Sequence, residues 1–250
     1  MISLPAKPLV LAALESEAAP LLGRGVVESL TRHETGTIAE LLLPGGGLRV
    51  GWSGVGEENA ARCARWAAER FEIDWVLLTG YAGAAREGQG PGTIVLASEV
   101  RREGASSLVP RSEALARIRS ALARVSPQEG PLHTVSRVIE EPQEKRNLGE
   151  KGAFAVEMET HAAAGEFEKA GIPWAALRAI LDSVGHSLKG IEKISTPDGK
   201  GNLRALPGAV LSEPLLLARL IRLALAKRAA DRSLALAFSL LFENGHPEKG

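Results

Sequence analysis

The residues of this 250-residue chain best suited to chemistry are acids placed where apolar runs end. Leu14-Glu15-Ser16-Glu17 closes the first run. Ala155-Val156-Glu157-Met158-Glu159 sets two glutamates where a buried strand becomes a helix, and Leu181-Asp182-Ser183 closes the run from Trp174 to Ile180. In sheets covered by helices, ligands gather at the carboxyl ends of strands, so acids at such ends are candidates for general acid and general base work. Each also has an ordinary explanation. Asp182 can be a helix cap, and a glutamate in a first helical turn is commonly a partner of the helix dipole. Side chains two residues apart point to opposite faces of a strand and about 200° apart on a helix, so Glu157 and Glu159 cannot both serve one pocket. One of the two faces the site.

Glycine-containing segments follow other apolar runs: Ser53-Gly54-Val55-Gly56, Thr79-Gly80-Tyr81-Ala82-Gly83 and Pro91-Gly92. The first begins like a dinucleotide-binding turn. It then departs, because Asn59 stands at the third glycine position and Asp74 lies at the start of the next strand rather than its end. No nicotinamide or flavin is expected. Backbone N–H groups at the start of the following helix can hold an anion or a sugar hydroxyl, or Gly54 and Gly56 can simply form a tight turn. A single cysteine, Cys63, and five scattered histidines leave neither a disulfide framework nor zinc-ligand spacing, so no metal is expected. His161 and His186 read as structural or solvated. Arg178, inside an apolar strand, is expected to pair with a buried acid or cap a helix end.

The elements that position these residues alternate short apolar runs with helical patterns, which predicts one α/β domain spanning residues 1–250: a mixed central sheet flanked by helices, with a helical extension at the carboxyl end. Strands are expected at Pro8 to Leu14, Ile38 to Leu43, Leu48 to Ser53, Trp75 to Thr79, Thr93 to Ser98, Leu132 to Ile139 and Trp174 to Ile180, with a hairpin turn at Gly45 to Gly47. Helices are expected from Glu57 to Phe71, from Glu113 to Val125 and from near Met158 to Gly171. Residues 185–207 lack periodicity and suggest a binding loop or lid. Beyond them, residues 212–243 read as two helices, one from Ser212 to Arg228 and one capped by Asp231 and reaching Phe242. Thirty basic and thirty acidic residues cancel, so a small molecule is a better expected partner than nucleic acid. No stretch reaches the roughly 18 apolar residues of a membrane span, and no cleavage-site pattern follows the first apolar run. A cytoplasmic protein fits.

Five ordered segments resemble the motifs of the nucleoside phosphorylase and methylthioadenosine/S-adenosylhomocysteine nucleosidase superfamily: Leu14 to Ala18, Ser53 to Gly56, Thr79 to Gly83, Val156 to Glu159 and Arg178 to Asp182. The resemblance covers about Pro8 to Ser183. Thr134 to Ile139, leading through Glu144-Lys145 to Glu157-Met158-Glu159-Thr160-His161-Ala162, is most similar to the hopanoid-associated phosphorylase subgroup. The resemblance implies cleavage of a purine N-glycosidic bond without a cofactor. It makes Asp182 the acid that protonates the purine at N7 and Glu159 the holder of the ribose hydroxyls, with Glu17 orienting and deprotonating the attacking water. Met158 would pack on the sugar, and Glu157, Gly54, Gly56, Tyr81 and Gly83 would lie around the substrate. Val138 and Ile139 would sit near the base, or else be plain core. An acid and a base at one pH need separated pKa values, so Asp182 is expected in a drier setting than Glu17.

Phosphate is the alternative nucleophile. Leu77 and Leu78 fill the stretch where many phosphorylases of this superfamily carry an arginine, while Arg86 and Arg24 keep a phosphate site open. Glu17 in the nucleosidase position favours water. Tyr81 replaces a small serine and Leu181 another serine, which points to an unusual substrate or reduced activity; a non-catalytic nucleoside-binding protein is the rival from another class. A homo-oligomer is expected from the same resemblance. Leu216, Leu220 and Leu223 share one helical face, followed by Leu234, Phe238, Leu241 and Phe242. These ordinarily cover a sheet or an oligomer contact; the subgroup resemblance implies instead a large apolar 5′ substituent received there.

Overall fold

The computed structural model describes residues 7–190 and 216–242. Three strands lie side by side and parallel at its middle: β1 (Pro8–Ala12), β5 (Trp75–Ala84) and β9 (Trp174–Asp182). Beyond β1, the parallel β4 (Gly46–Trp52) and the antiparallel pair β3 (Gly36–Leu43) and β2 (Val26–His33) carry the sheet to its edge. On the other side β9 pairs antiparallel with β6 (Ile94–Arg102), and β6 runs parallel to β7 (Gln128–Thr134). β7 in turn is parallel to β8 (Ala155–Glu157), which returns antiparallel to the end of β5. These last five strands close a ring, so the sheet is open at one end and curled on itself at the other. The mixed α/β class is the one expected.

The middle strands are apolar throughout because both of their faces are covered. Val10, Leu77 and Leu177 face one layer, formed by α1 (Glu15–Leu22), α3 (Ser112–Ala121) and α6 (Leu216–Phe242). Leu9, Leu11, Val76 and Leu78 face the other, formed by α2 (Glu57–Arg70) and α5 (Thr160–Lys169), whose alanines let these helices lie close. A short helix, α4 (Pro142–Glu150), bridges β7 and β8.

Several expected boundaries move. The hairpin turns at Pro44-Gly45, since Leu43 already pairs with Gly46 and Gly46 and Gly47 belong to β4. β7 stops at Thr134 rather than Ile139, because its partner β8 ends at Glu157 where α5 takes over; Val138 and Ile139 therefore lie in the loop before α4, not at a strand end. The two helices expected at the carboxyl end are one helix of 27 residues, unbroken by glycine or proline. Asp231 does not cap; it sits mid-helix and pairs with Lys227 one turn earlier (2.8 Å). Leu216, Leu234, Phe238, Leu241 and Phe242 are buried in the core, while Leu220 and Leu223 are half-buried, so most of the described part of that face is taken up by packing. Residues 191–207 of the irregular loop and 212–215 of the first expected helix lie outside the described residues.

Candidate active site

Where β1, β5, β8 and β9 end, they surround a cavity of about 220 Å³. Its lining includes Glu17, Tyr81, Gly83, Met158, Glu159 and Asp182, together with Glu157, Val138 and Ile139. Gly54 and Gly56 are outside the lining. Gly54 N–H goes to the carbonyl of Ala13 (2.8 Å), and Gly56 N–H to Glu159 Oε1 (2.9 Å), so the start of α2 is spent on a side chain of the protein itself.

Glu17 occupies the third position of α1 and folds back over the helix start. Its Oε2 accepts from the N–H groups of Ala13 (3.1 Å) and Leu14 (3.0 Å), and its Oε1 from that of Tyr81 (2.9 Å). Burial pushes its carboxyl above the usual carboxylate range, against Arg178 and these backbone donors. Gly80 makes the approach possible. A Cβ there would lie 2.5 Å from Arg178 Nη1 and 2.8 Å from Glu17 Oε1, at a φ of +141° that side chains rarely adopt.

Both glutamates flanking Met158 line the cavity, contrary to the expectation that only one could. Glu157 ends β8 and Glu159 is the irregular residue before α5, so neither strand nor helix spacing relates them; what separates them is environment. Glu157 Oε2 accepts from the N–H groups of Glu159 (3.0 Å) and Thr160 (2.7 Å), from the Thr160 hydroxyl and from Arg178 Nη2 (2.7 Å), while Thr134 bonds its Oε1. Its carboxylate is consumed by the protein. Glu159 uses one oxygen on Gly56, and burial together with the neighbouring Glu157 carboxylate pushes it up to about 7 despite Arg178. Arg178 is the buried partner expected of an arginine in an apolar strand: it also donates to the Thr79 carbonyl (2.9 Å) and the Thr160 hydroxyl (2.6 Å). Replacing Arg178 with methionine strands the Glu157 charge in the interior, and unfolding by denaturant should then show a loss of about 3–5 kcal/mol. The double variant Glu157→Gln/Arg178→Met should recover part of that loss; equal stability of wild type and the single variant would contradict this account.

Asp182 ends β9 opposite Gly83 of β5, and Lys145 of α4 donates to its Oδ2. Burial raises the Asp182 carboxyl, with Lys145 and then His186 pulling it down. The expected contrast in dryness is not found. Asp182 and Glu17 are each 6% exposed, and what separates them is the partner: a side-chain cation for one, backbone N–H groups for the other. Lys145 is the site residue that sequence reasoning passed over as a functional group. Its signal was its place on the inner side of a helix with almost no apolar stripe. Tyr81 stands on the cavity wall with its hydroxyl on Asp231 of α6 and on the Ser16 carbonyl (3.3 Å). Arg86 is held by the Ala153 carbonyl (3.3 Å), and neither it nor Arg24 lines the cavity.

The same architecture occurs in solved structures. The 5′-methylthioadenosine/S-adenosylhomocysteine nucleosidase of Neisseria meningitidis, in complex with methylthio-immucillin-A, superposes with a TM-score of 0.71 at 18% identity over 95% of this chain and 99% of that one. A mutant of the Helicobacter pylori futalosine hydrolase gives 0.70 at 16% identity, covering 96% and 100%. In sequence, the 5′-methylthioadenosine/S-adenosylhomocysteine nucleosidase of Colwellia psychrerythraea (strain 34H / ATCC BAA-681) is 33% identical over 92 residues, 37% of this chain. The match spans only 38% of that relative's length. A family model described as the phosphorylase superfamily matches residues 9–196, well over half of the chain, and the protein belongs to that superfamily.

Proposed function

We propose that the protein hydrolyses the N-glycosidic bond of an adenine nucleoside. The observation that carries the proposal is the gathering of Glu17, Glu159 and Asp182 around one cavity whose cations among the described residues, Lys145 and Arg137, are each paired with an acid. Cleavage sends the C1′–N9 electron pair into the purine, which leaves more readily when N7 takes a proton from Asp182. Glu159 then faces a cationic sugar, and its charge favours that state over the neutral substrate. Glu17 receives the proton of the attacking water as its oxygen bonds to C1′. Phosphate as nucleophile would bring two negative charges beside Glu17 and Glu159 with no free cation among the described residues of the lining. That supports water.

The cavity wall carries Leu14, Val55, Val135, Val138 and Leu188, which supports an apolar 5′ substituent on the nucleoside. The protein is to be incubated with adenosine, inosine, methylthioadenosine and S-adenosylhomocysteine, with and without phosphate, followed by 5′-alkyl adenosines of increasing length. Free ribose or its 5′-derivative, formed without phosphate, is the expected product. Burying each methylene gains about 0.8 kcal/mol, so kcat/KM should rise up to about fourfold per carbon. A sugar 1-phosphate made only with phosphate would replace hydrolysis by phosphorolysis, and a flat alkyl series would leave a plain nucleoside as the substrate.

A further inference from the structure

A helix laid on a protein surface normally turns an apolar stripe inward, and lysine is almost never fully buried without a partner. α4 does otherwise. Its one buried residue is Lys145, 1% exposed, whose Nζ donates to Asp182 Oδ2 and to the carbonyl of His186 (3.1 Å). Both members of the pair line the cavity. Stability gives no reason for a lysine here, since apolar residues of similar volume commonly serve a fold as well as or better than a buried ion pair. The pair does offer one thing an apolar residue cannot: a transferable proton at the part of the cavity wall that Asp182 forms.

Resting on the hydrolase reading above, we propose that Lys145 is a positioning residue that supplies the proton Asp182 passes to the departing purine. As the C1′–N9 bond breaks and its electron pair moves into the purine, a proton passes from Nζ to the Asp182 carboxylate and from that carboxyl to N7. Lys145 is left as a neutral amine. The proton that the attacking water gives to Glu17 is released to solvent, and Lys145 takes one up again once the products have left, so the cycle balances.

The test compares wild type, Lys145→Met and Lys145→Arg on two substrates: the best adenine nucleoside of the panel above and p-nitrophenyl ribofuranoside, whose nitrophenolate departs without protonation. Arginine keeps the charge and the pairing with Asp182 but does not release a proton at working pH. Both variants should lose about 10²-fold in kcat on the nucleoside and keep nitrophenyl riboside hydrolysis within about threefold of wild type. Wild-type kcat on the nucleoside in Lys145→Arg would overturn the proton supply, and so would an equal loss on both substrates. Should Lys145→Met fail to fold in a thermal melt, Lys145→Arg decides alone. Wild-type protein that frees neither adenine nor nitrophenolate overturns the hydrolase reading and this inference together, whereas an active wild type with unaffected variants overturns the inference alone.

Discussion

Asp182→Asn is expected to lower the rate of adenine release by about 10³-fold, within the range lost when a general acid is removed. Asparagine keeps the size of the side chain and an oxygen for Lys145 but has no proton to give. Adenine should still bind, because the cavity around Gly83, Met158 and Ile139 is unchanged. The same exchange leaves the buried Lys145 facing a neutral amide, so the variant should also unfold at lower denaturant concentration than wild type. The two effects separate on p-nitrophenyl ribofuranoside, whose hydrolysis should survive. Near wild-type release of adenine would remove Asp182 from the mechanism.

Glu17→Gln is the second large expected loss, again about 10³-fold in kcat. An ionised carboxylate has about four acceptor positions, and backbone N–H groups of Ala13, Leu14 and Tyr81 fill three of them. One remains for the attacking water. Glutamine turns an NH₂ toward at least one of those donors and removes the base. The pH dependence follows from the same burial. Glu17 works ionised, and its carboxyl lies above the usual range, so activity should fall as pH drops through that raised value, earlier than for an exposed glutamate. If Glu17→Gln changed only the melting temperature, the residue would be a helix-start fastener and nothing more.

Much of this was legible in the chain itself, for reasons that can be named. β1, β5 and β9 are covered on both faces, so they read as unbroken apolar runs. Glu17 and Asp182 stood out because they follow or end such runs, and Glu159 because it comes just after the buried β8. β2 did not, since every one of its residues is exposed and no burial disciplines its pattern. α1 is short with a proline inside, and α4 turns a lysine inward, so neither writes a helical stripe. Both Glu157 and Glu159 line the cavity, against the expectation that only one could; which carboxylate stays uncommitted depended on Arg178, 21 residues from Glu157 along the chain. Asp231 misled because an aspartate after a leucine-rich stretch is usually a cap, whereas here it meets the Tyr81 hydroxyl across 150 residues.

That last contact ties the cavity wall to α6, which follows every other described element in the sequence. α6 supplies Ala230, Leu234, Phe238 and Phe242 to the same apolar cluster as Val10, Leu77 and Leu177, and its Asp231 holds Tyr81 beside Glu17. During synthesis, every acid of the cavity has left the ribosome long before this helix does. The nascent chain must therefore wait with one face of its central strands covered only by α1 and α3, a period in which exposed apolar strands invite association with other chains. Docking of α6 both covers the rest of that face and completes the wall.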